Sequence, residues 1–394
     1  MRIGIDCRQL LGRYEHGTGV DRYVTQIVHG IIEECENDAD NEVTVVAFVD
    51  HNTSPDILEY LENSPVVEIR EFFASRFKRY LPYLYSHILS AHSLERADLD
   101  VYFSPANWLP LRYTGKAVIT VHDLAIYDNP EWFAQGQNFS VERIVPYALS
   151  EAVHIIAVSD ATKEQVVRIG KRHLNDISVI YEAAHEPEYN SPSEEELLLK
   201  ELGVEQPYML VLGRIEERKN SARIAEAFQQ LVAQYPDETE ELTLVFAGSS
   251  RKARELLHPV ITERYAERIQ ILGAITEQDK SALLQNAFTF VFPSLWEGFG
   301  LPILEAQQVG IPVISSHAGA LEEVVASSGL VVDPEDSASI MEGMRTMVME
   351  ENTREQYIDM GADNVRRFSW KIAVQKTLAL LCEVGQDTNT NTKE

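Results

Sequence analysis

Cysteine is scarce in this chain: three in 394 residues, Cys7, Cys35 and Cys382. They are far apart, odd in number and without zinc-ligand spacing, so neither a disulfide framework nor a zinc site is expected. A reducing cytoplasm is the simplest setting for such usage. Positive charge is also short, with 34 Lys and Arg against 62 Asp and Glu, a formal net charge of −28. A surface that acidic repels nucleic acid, which argues against broad DNA or RNA binding. It serves solubility or a saline habitat equally well. No apolar run reaches the roughly 18 residues that span a bilayer. The opening MRIGIDCRQLL lacks a long apolar core and a small-residue cleavage site, and reads as a first strand, not a signal peptide. No internal repeat of about 20–50 residues and no low-complexity domain is present.

What is there is an alternation. The length suggests two or three domains, and 45 % hydrophobic residues suffice for globular cores. Apolar runs of strand length stand at 2–6, 42–49, 101–105, 117–123 and 154–159, with helical patterns such as 19–35 and 160–170 between them. A polar stretch at 185–203, HEPEYNSPSEEELLLKELG, reads as a linker running into a short helix. The alternation then restarts, with strands at 208–213, 242–248, 269–274, 288–294 and 311–316 and helices at 220–235 and 277–287. This is an α/β pattern built around parallel sheets. It predicts two doubly wound, Rossmann-like domains, 1–188 and 189–368. An amphipathic helix at 366–384 and a polar, disordered tail at 386–394 follow. Ligands in such sheets bind beyond the carboxyl ends of the strands, so the cleft between the halves is the expected site.

Four motifs carry candidate chemistry. The first is PSLWEGFGLPILEA, residues 293–306, where Glu297 and Glu305 stand on either side of Gly298, Phe299, Gly300, Leu301 and Pro302. A strand ends before it and a helix begins at its proline. The bare glycines let backbone N–H groups approach a ligand, and Glu305 is expected in the first turn of the helix. Two carboxylates and free amides suit a polyhydroxylated ligand. A dipole-favoured glutamate beside an ordinary turn is the alternative. The second is GRIEERKN, 213–220, where Arg214 and Lys219 at a strand end suit a diphosphate, or instead form surface ion pairs with Glu216 and Glu217. The third is EHGTGVDRY, 15–23, whose Gly17 and Gly19 make a loop before a helix but lack the third glycine of the dinucleotide fingerprint. The fourth is VITVHDLAIY, 118–127, with His122 and Asp123 at the carboxyl end of a strand, for function or as a satisfied structural histidine.

Together these elements resemble glycosyltransferase family 4, retaining sugar transferases of GT-B fold. The match runs in order through GTG, HDL, VSDATK, GR and KN, EGFGLPILEA, EEVV to GLVVDPED, and FSW, over nearly the whole chain. The most specific element is the pair of glutamates flanking Gly-Phe-Gly-Leu-Pro. The resemblance implies that the C-terminal domain holds a nucleotide-sugar and the N-terminal domain binds the acceptor. Arg214 and Lys219 would bind the diphosphate and Glu305 the ribose hydroxyls. Glu297 would face the donor sugar, with the amides of Phe299 and Gly300 on its hydroxyls. Gly19 would close over the phosphate, and His122 would stand near the anomeric carbon or the sugar 6-hydroxyl. The helix after FSW, 369–385, would cross back onto the N-terminal domain. Front-face attack is expected, with the leaving phosphate taking the acceptor proton and no metal or other cofactor invoked. The Asp-x-Asp triplets at Asp38/Asp40 and Asp98/Asp100 lie in no motif that the fold uses.

HDLAIYDNPEWF, 122–133, is most similar to family members that use GDP-mannose in bacterial surface polysaccharide synthesis, with UDP-sugars as the alternative donors. On the acceptor side, REFFASRFKRYLPYLY, 70–85, concentrates Arg76, Lys78 and Arg79 among aromatics in an otherwise acidic chain. It suits an anionic bilayer, the phosphates of a lipid-linked acceptor, or an ordinary amphipathic helix. The expected partners are therefore a nucleotide-sugar and a glycan or lipid-linked acceptor. The expected location is the cytoplasm, with peripheral contact at the membrane. Rival readings are an epimerase or phosphorylase on a similar fold, and a non-catalytic nucleotide-sugar-binding subunit. The presence of Glu297, Glu305, Arg214, Lys219 and His122 together argues against the last.

Overall fold

The computed structural model describes residues 1–12, 17–38, 42–72, 89–133, 140–185, 191–249 and 253–387. The chain divides into two compact units, one of residues 1–182 with 369–394 and one of residues 183–368.

The first unit is a seven-stranded sheet: β1 (Arg2–Asp6), β2 (Thr44–Val49), β3 (Val67–Glu71), β4 (Val101–Ser104), β5 (Ala117–Val121), β6 (His154–Ala157) and β7 (Ile177–Val179). The spatial order is β3-β2-β1-β4-β5-β6-β7, and every pairing is parallel. Parallel strands covered on both faces need apolar residues on both faces. β5, AVITV, shows this, with all five residues buried. The edge strand β3, VEIRE, is only half-buried and keeps its charges. Helix Gly19–Asn37 follows β1 and is started by a reciprocal cap between Thr18 and Asp21.

The last helix, Trp370–Gln386, belongs to this unit. It lies on helix Gly19–Asn37 so closely that a Cβ at Gly30 would collide with the side chain of Val374. Trp370 at its start sits 6.0 Å from the ring of Tyr23. At its end the Lys116 ammonium donates to the carbonyls of Val384 and Gly385 at 3.0 and 3.1 Å. A cation there satisfies carbonyls that the helix itself leaves unpaired.

The second unit is a six-stranded parallel sheet: β8 (Tyr208–Leu212), β9 (Thr243–Ala247), β10 (Ile269–Gly273), β11 (Thr289–Phe292), β12 (Val313–Ser316) and β13 (Leu330–Val332). Its order is β10-β9-β8-β11-β12-β13. Phe228, Phe246 and Phe290 fill the core. Three strands escaped the sequence reading: β3, β7 and β13. All three are sheet edges, and β7 and β13 have three residues each. Edges bury less, so the pattern that marks a strand fades there. Among the described residues no helix is long and apolar enough to cross a membrane.

In each sheet the strand order reverses once, between β1 and β4 in the first unit and between β8 and β11 in the second. Loops leaving adjacent strands in opposite directions open a crevice at such a point. The candidate residues of the second unit stand at the β8/β11 reversal.

Candidate functional site

In the second unit, the loop after β8 carries GRIEERKN and the loop after β11 carries PSLWEGFG, so both motifs stand at the same reversal. The structure laces them together. Leu295 N–H donates to the Arg218 carbonyl at 2.8 Å. The Arg218 guanidinium donates to the Trp296 carbonyl at 3.1 Å and to one oxygen of Glu297 at 2.9 Å. Lys219 donates to the other oxygen of Glu297 at 2.6 Å, its ammonium resting 4.5 Å above the ring of Phe292. Arg218 also pairs with Glu216 at 3.2 Å. Burial by itself would raise the Glu297 carboxyl, but the two cations outweigh it and hold the group below the usual carboxylate range. Burial, with Arg218 alongside, lowers the Lys219 ammonium, and Glu297 opposes that fall.

Asn220 fixes this arrangement. Its backbone is left-handed, at φ 61°, a conformation that among ordinary residues asparagine tolerates best. Its buried amide donates to the carbonyls of Pro293 at 3.0 Å and Pro334 at 2.6 Å, and its oxygen accepts from Arg223. One side chain thus ties the loops after β8, β11 and β13, one residue from Lys219.

The glycine turn is shaped by two close approaches. Gly300 caps helix Leu301–Gln308 at φ 111°, against the side chain of Leu321. Gly319, at φ 61°, lies so near Glu297 that a Cβ there would strike the Glu297 carbonyl oxygen. Gly298, Phe299, Gly300 and Leu301 are all buried. Phe299 packs edge-on to Phe368 at 5.7 Å.

The expectation for Glu305 needs a correction. It is the fifth residue of its helix, one residue further in than a start at Pro302 gives and just past the first turn, because the helix begins at Leu301 with Gly300 as its cap. At about 1.5 Å per residue, that sets it about 6 Å from the first helical residue. There it accepts from Lys280 at 3.0 Å, and Lys280 also bridges to Glu277. Arg214 does not join the Glu297 cluster. It is exposed and has no hydrogen bond or ion pair among the described residues.

His122 stands at the carboxyl end of β5 in the first unit, and both of its ring nitrogens are engaged. Nε2 faces the Pro105 carbonyl at 3.0 Å and Nδ1 faces the Glu182 carboxylate at 3.1 Å. Tyr23 meets the ring edge-on at 4.7 Å. A carbonyl and a carboxylate are both acceptors, so the imidazole satisfies both fully only with two protons. Burial opposes that charge, but Glu182 and the Pro105 carbonyl outweigh it and raise the His122 pKa. Both nitrogens are held by the protein itself. Gly17 and Gly19 precede and open helix Gly19–Asn37, and neither is left-handed. Arg76, Lys78 and Arg79 lie outside the described residues.

Sequence reasoning missed Arg218, Asn220, Lys280, Glu182 and Gly319. Only Asn220 left a local signal, an asparagine directly before a helix and after a loop cation. Arg218 lies inside GRIEERKN beside Lys219, where the motif reading gives it no role, whereas Lys280, Glu182 and Gly319 are partners in space, supplied by separate segments.

Two family models match the chain: "Glycosyltransferase Family 4" over residues 17–184 and "Glycosyl transferases group 1" over residues 195–363. The O-antigen chain mannosyltransferase B of Escherichia coli is 32% identical over 71% of this chain and 73% of its own length. The O-antigen chain mannosyltransferase RfbU of Salmonella typhimurium is 23% identical over 67% and 70%. Among solved structures, Anabaena HepE in complex with UDP and glucose superposes with a TM-score of 0.69 at 20% identity, over 97% of this chain and 100% of that one. WaaG, a glycosyltransferase involved in lipopolysaccharide biosynthesis, gives 0.66 at 14% identity, over 96% and 99%. These two likenesses show the fold, two Rossmann-like domains of GT-B type.

Two outcomes follow from the site's geometry. Asn220→Gly keeps the left-handed backbone and orphans two carbonyls, a cost of about 1–3 kcal/mol in urea unfolding. Asn220→Ala should lose about 1 kcal/mol more for the strained backbone. Two variants within about 0.5 kcal/mol of the wild type would remove Asn220 from this role. The raised pKa of His122 has a definite sign in stability. Its contribution is full below the unfolded-state pKa of about 6.5 and is lost as pH rises through the folded value. The stability gap between wild type and His122→Gln should therefore shrink as pH rises above about 6.5, and a gap that grows with pH would mean a neutral ring.

Proposed function

The chain belongs to glycosyltransferase family 4, and we propose that it transfers mannose from GDP-mannose, with retention of configuration, to a glycan or lipid-linked acceptor in surface polysaccharide synthesis. The observation that carries this reading is the meeting of Lys219, Arg218 and Glu297 at the β8/β11 reversal, with Glu305 one turn into the adjoining helix. A glycosyl transition state couples an oxocarbenium-like sugar to a departing, anionic diphosphate. Cations fixed where that charge grows stabilise it without reorganising. Arg214, exposed and without a protein partner among the described residues, has its guanidinium available for an anion. Lys219 adds the second charge. Glu297, kept ionised by its neighbours, accepts from hydroxyls of the transferred sugar, and Glu305 accepts from the ribose.

The bond from the anomeric carbon to the diphosphate oxygen breaks as the acceptor oxygen bonds the same face of that carbon. The acceptor's hydroxyl proton passes to the departing phosphate oxygen, and GDP leaves. The sugar product keeps its anomeric configuration. No step draws on a protein nucleophile or on a metal. His122 is assigned to the sugar side through its ring edge and the adjoining Asp123, its nitrogens being held by Pro105 and Glu182. The mannose assignment is supported by the relatives' names, and the GDP assignment by HDLAIYDNPEWF. Peripheral contact with the inner face of the cytoplasmic membrane rests on the basic stretch around Arg76, Lys78 and Arg79.

A thermal-shift and calorimetric panel of GDP, UDP, ADP and their sugar conjugates, with and without metal, tests the donor. We expect stabilisation by GDP and GDP-mannose without metal. Arg214→Ala and Lys219→Met should each lower kcat about 10²–10³-fold. Proton NMR of the first-formed product should show the donor's anomeric configuration. A UDP preference overturns the donor, and an inverted product overturns the front-face mechanism.

A further inference from the structure

The first unit has its own strand-order reversal, between β1 and β4, and the side chains there form a rigid assembly of a different electrical character. Asp6 ends β1 and is buried. It accepts a two-pronged contact from Arg8, Nε at 2.9 Å and a terminal nitrogen at 2.6 Å, and a third from the Tyr102 hydroxyl at 3.2 Å. The Arg8 guanidinium lies 4.5 Å from the ring centre of Phe72 and 4.0 Å from that of Trp108. Phe72 is fully buried and rests on Phe48, so the stack is anchored in the core. Trp108 is only half-buried, on the loop that leaves β4. In the same loop, Pro105 gives its carbonyl to His122, and Asn107 is half-exposed with no side-chain hydrogen bond among the described residues.

Resting on the glycosyltransferase reading above, we propose that Trp108 and Asn107 form the platform for an uncharged saccharide unit of the acceptor, with Arg8 and Asp6 holding the indole in place. An aromatic ring pinned before the ligand arrives loses little freedom on binding, and its apolar face suits the C–H face of a pyranose. The Asn107 amide offers both a donor and an acceptor, as ring hydroxyls require. Charge decides between a sugar and a phosphate at this point. Asp6 offsets Arg8, so the stack is neutral overall, whereas the β8/β11 reversal presents the exposed cation Arg214. The diphosphate therefore suits the second unit and a neutral ring suits the first. The same loop joins the platform to the carbonyl that holds His122, so a sugar seated on Trp108 lies close to that histidine.

The test is calorimetric titration of the full chain, without donor, by a neutral mannotriose and by the same trisaccharide bearing a phosphate. We expect Trp108→Leu to weaken mannotriose binding about tenfold and Asn107→Ala about threefold to fivefold, with the phosphate adding no affinity. GDP titrations of the same variants should be unchanged, and they report on the donor reading separately. Should Trp108→Leu fail to fold, Trp108→Phe and Asn107→Ala carry the test, the ring-preserving variant keeping affinity within about threefold. Trp108→Leu or Asn107→Ala binding mannotriose within twofold of the wild type overturns the proposal, as does Trp108→Phe weakening it as much as the loss of the ring would. So does a wild type that does not bind mannotriose, or one that binds only the phosphorylated sugar.

Discussion

A buried carboxylate with two cations on it organises the second unit. Glu297 is in contact with Lys219 and Arg218, and all three side chains are largely withdrawn from water. Removing one partner from such a group typically costs about 3–5 kcal/mol, because the charge left behind is uncompensated. Much of the surrounding geometry serves to avoid that outcome. Asn220 holds the backbone that delivers Lys219, Gly319 lets the neighbouring loop press against Glu297, and Phe292 floors the ammonium. The cluster also sets the electrostatics of the proposed donor site. Lys219 and Arg218 are balanced there by Glu297 and Glu216, and the exposed Arg214 outside the cluster supplies the positive charge that suits an anionic leaving group.

The first unit solves a related problem differently. Its reversal point also buries an ion pair, Asp6 with Arg8, but stacks the cation between aromatic rings. The result is stiff and close to neutral. Two sheets of the same winding thus present unlike surfaces at equivalent places. That difference is what a transferase needs if one unit is to hold a charged donor and the other an uncharged acceptor. The proton-bearing imidazole of His122, held by Glu182 and Pro105, adds a fixed group beside the first of these surfaces.

Much of the fold was legible because buried parallel strands are apolar throughout. Runs such as AVITV and YMLVL need no alignment to be read. The strands that were missed, VEIRE, ISV and LVV, are edges whose environment demands less of their sequence. The site was legible only in part. Glu297, Glu305, Arg214 and Lys219 stand in local motifs at strand ends, where chemistry is expected. Arg218 acts on Glu297, Lys280 on Glu305 and Glu182 on His122, each from a distant segment, and such a pairing leaves no local pattern. The depth of Glu305 was misread because the helix start depends on which residue caps it, and Gly300 takes that place through a left-handed turn against Leu321.

The most direct test of this picture is a double-mutant cycle on unfolding free energy with Lys219→Met, Glu297→Gln and the pair. We expect each single change to cost about 3–5 kcal/mol. The double variant, which leaves Arg218 paired with Glu216, should be more stable than the sum of the two implies by at least about 2 kcal/mol. Additive losses would show that the two groups do not depend on each other, and would remove the interaction on which the proposed donor site is built.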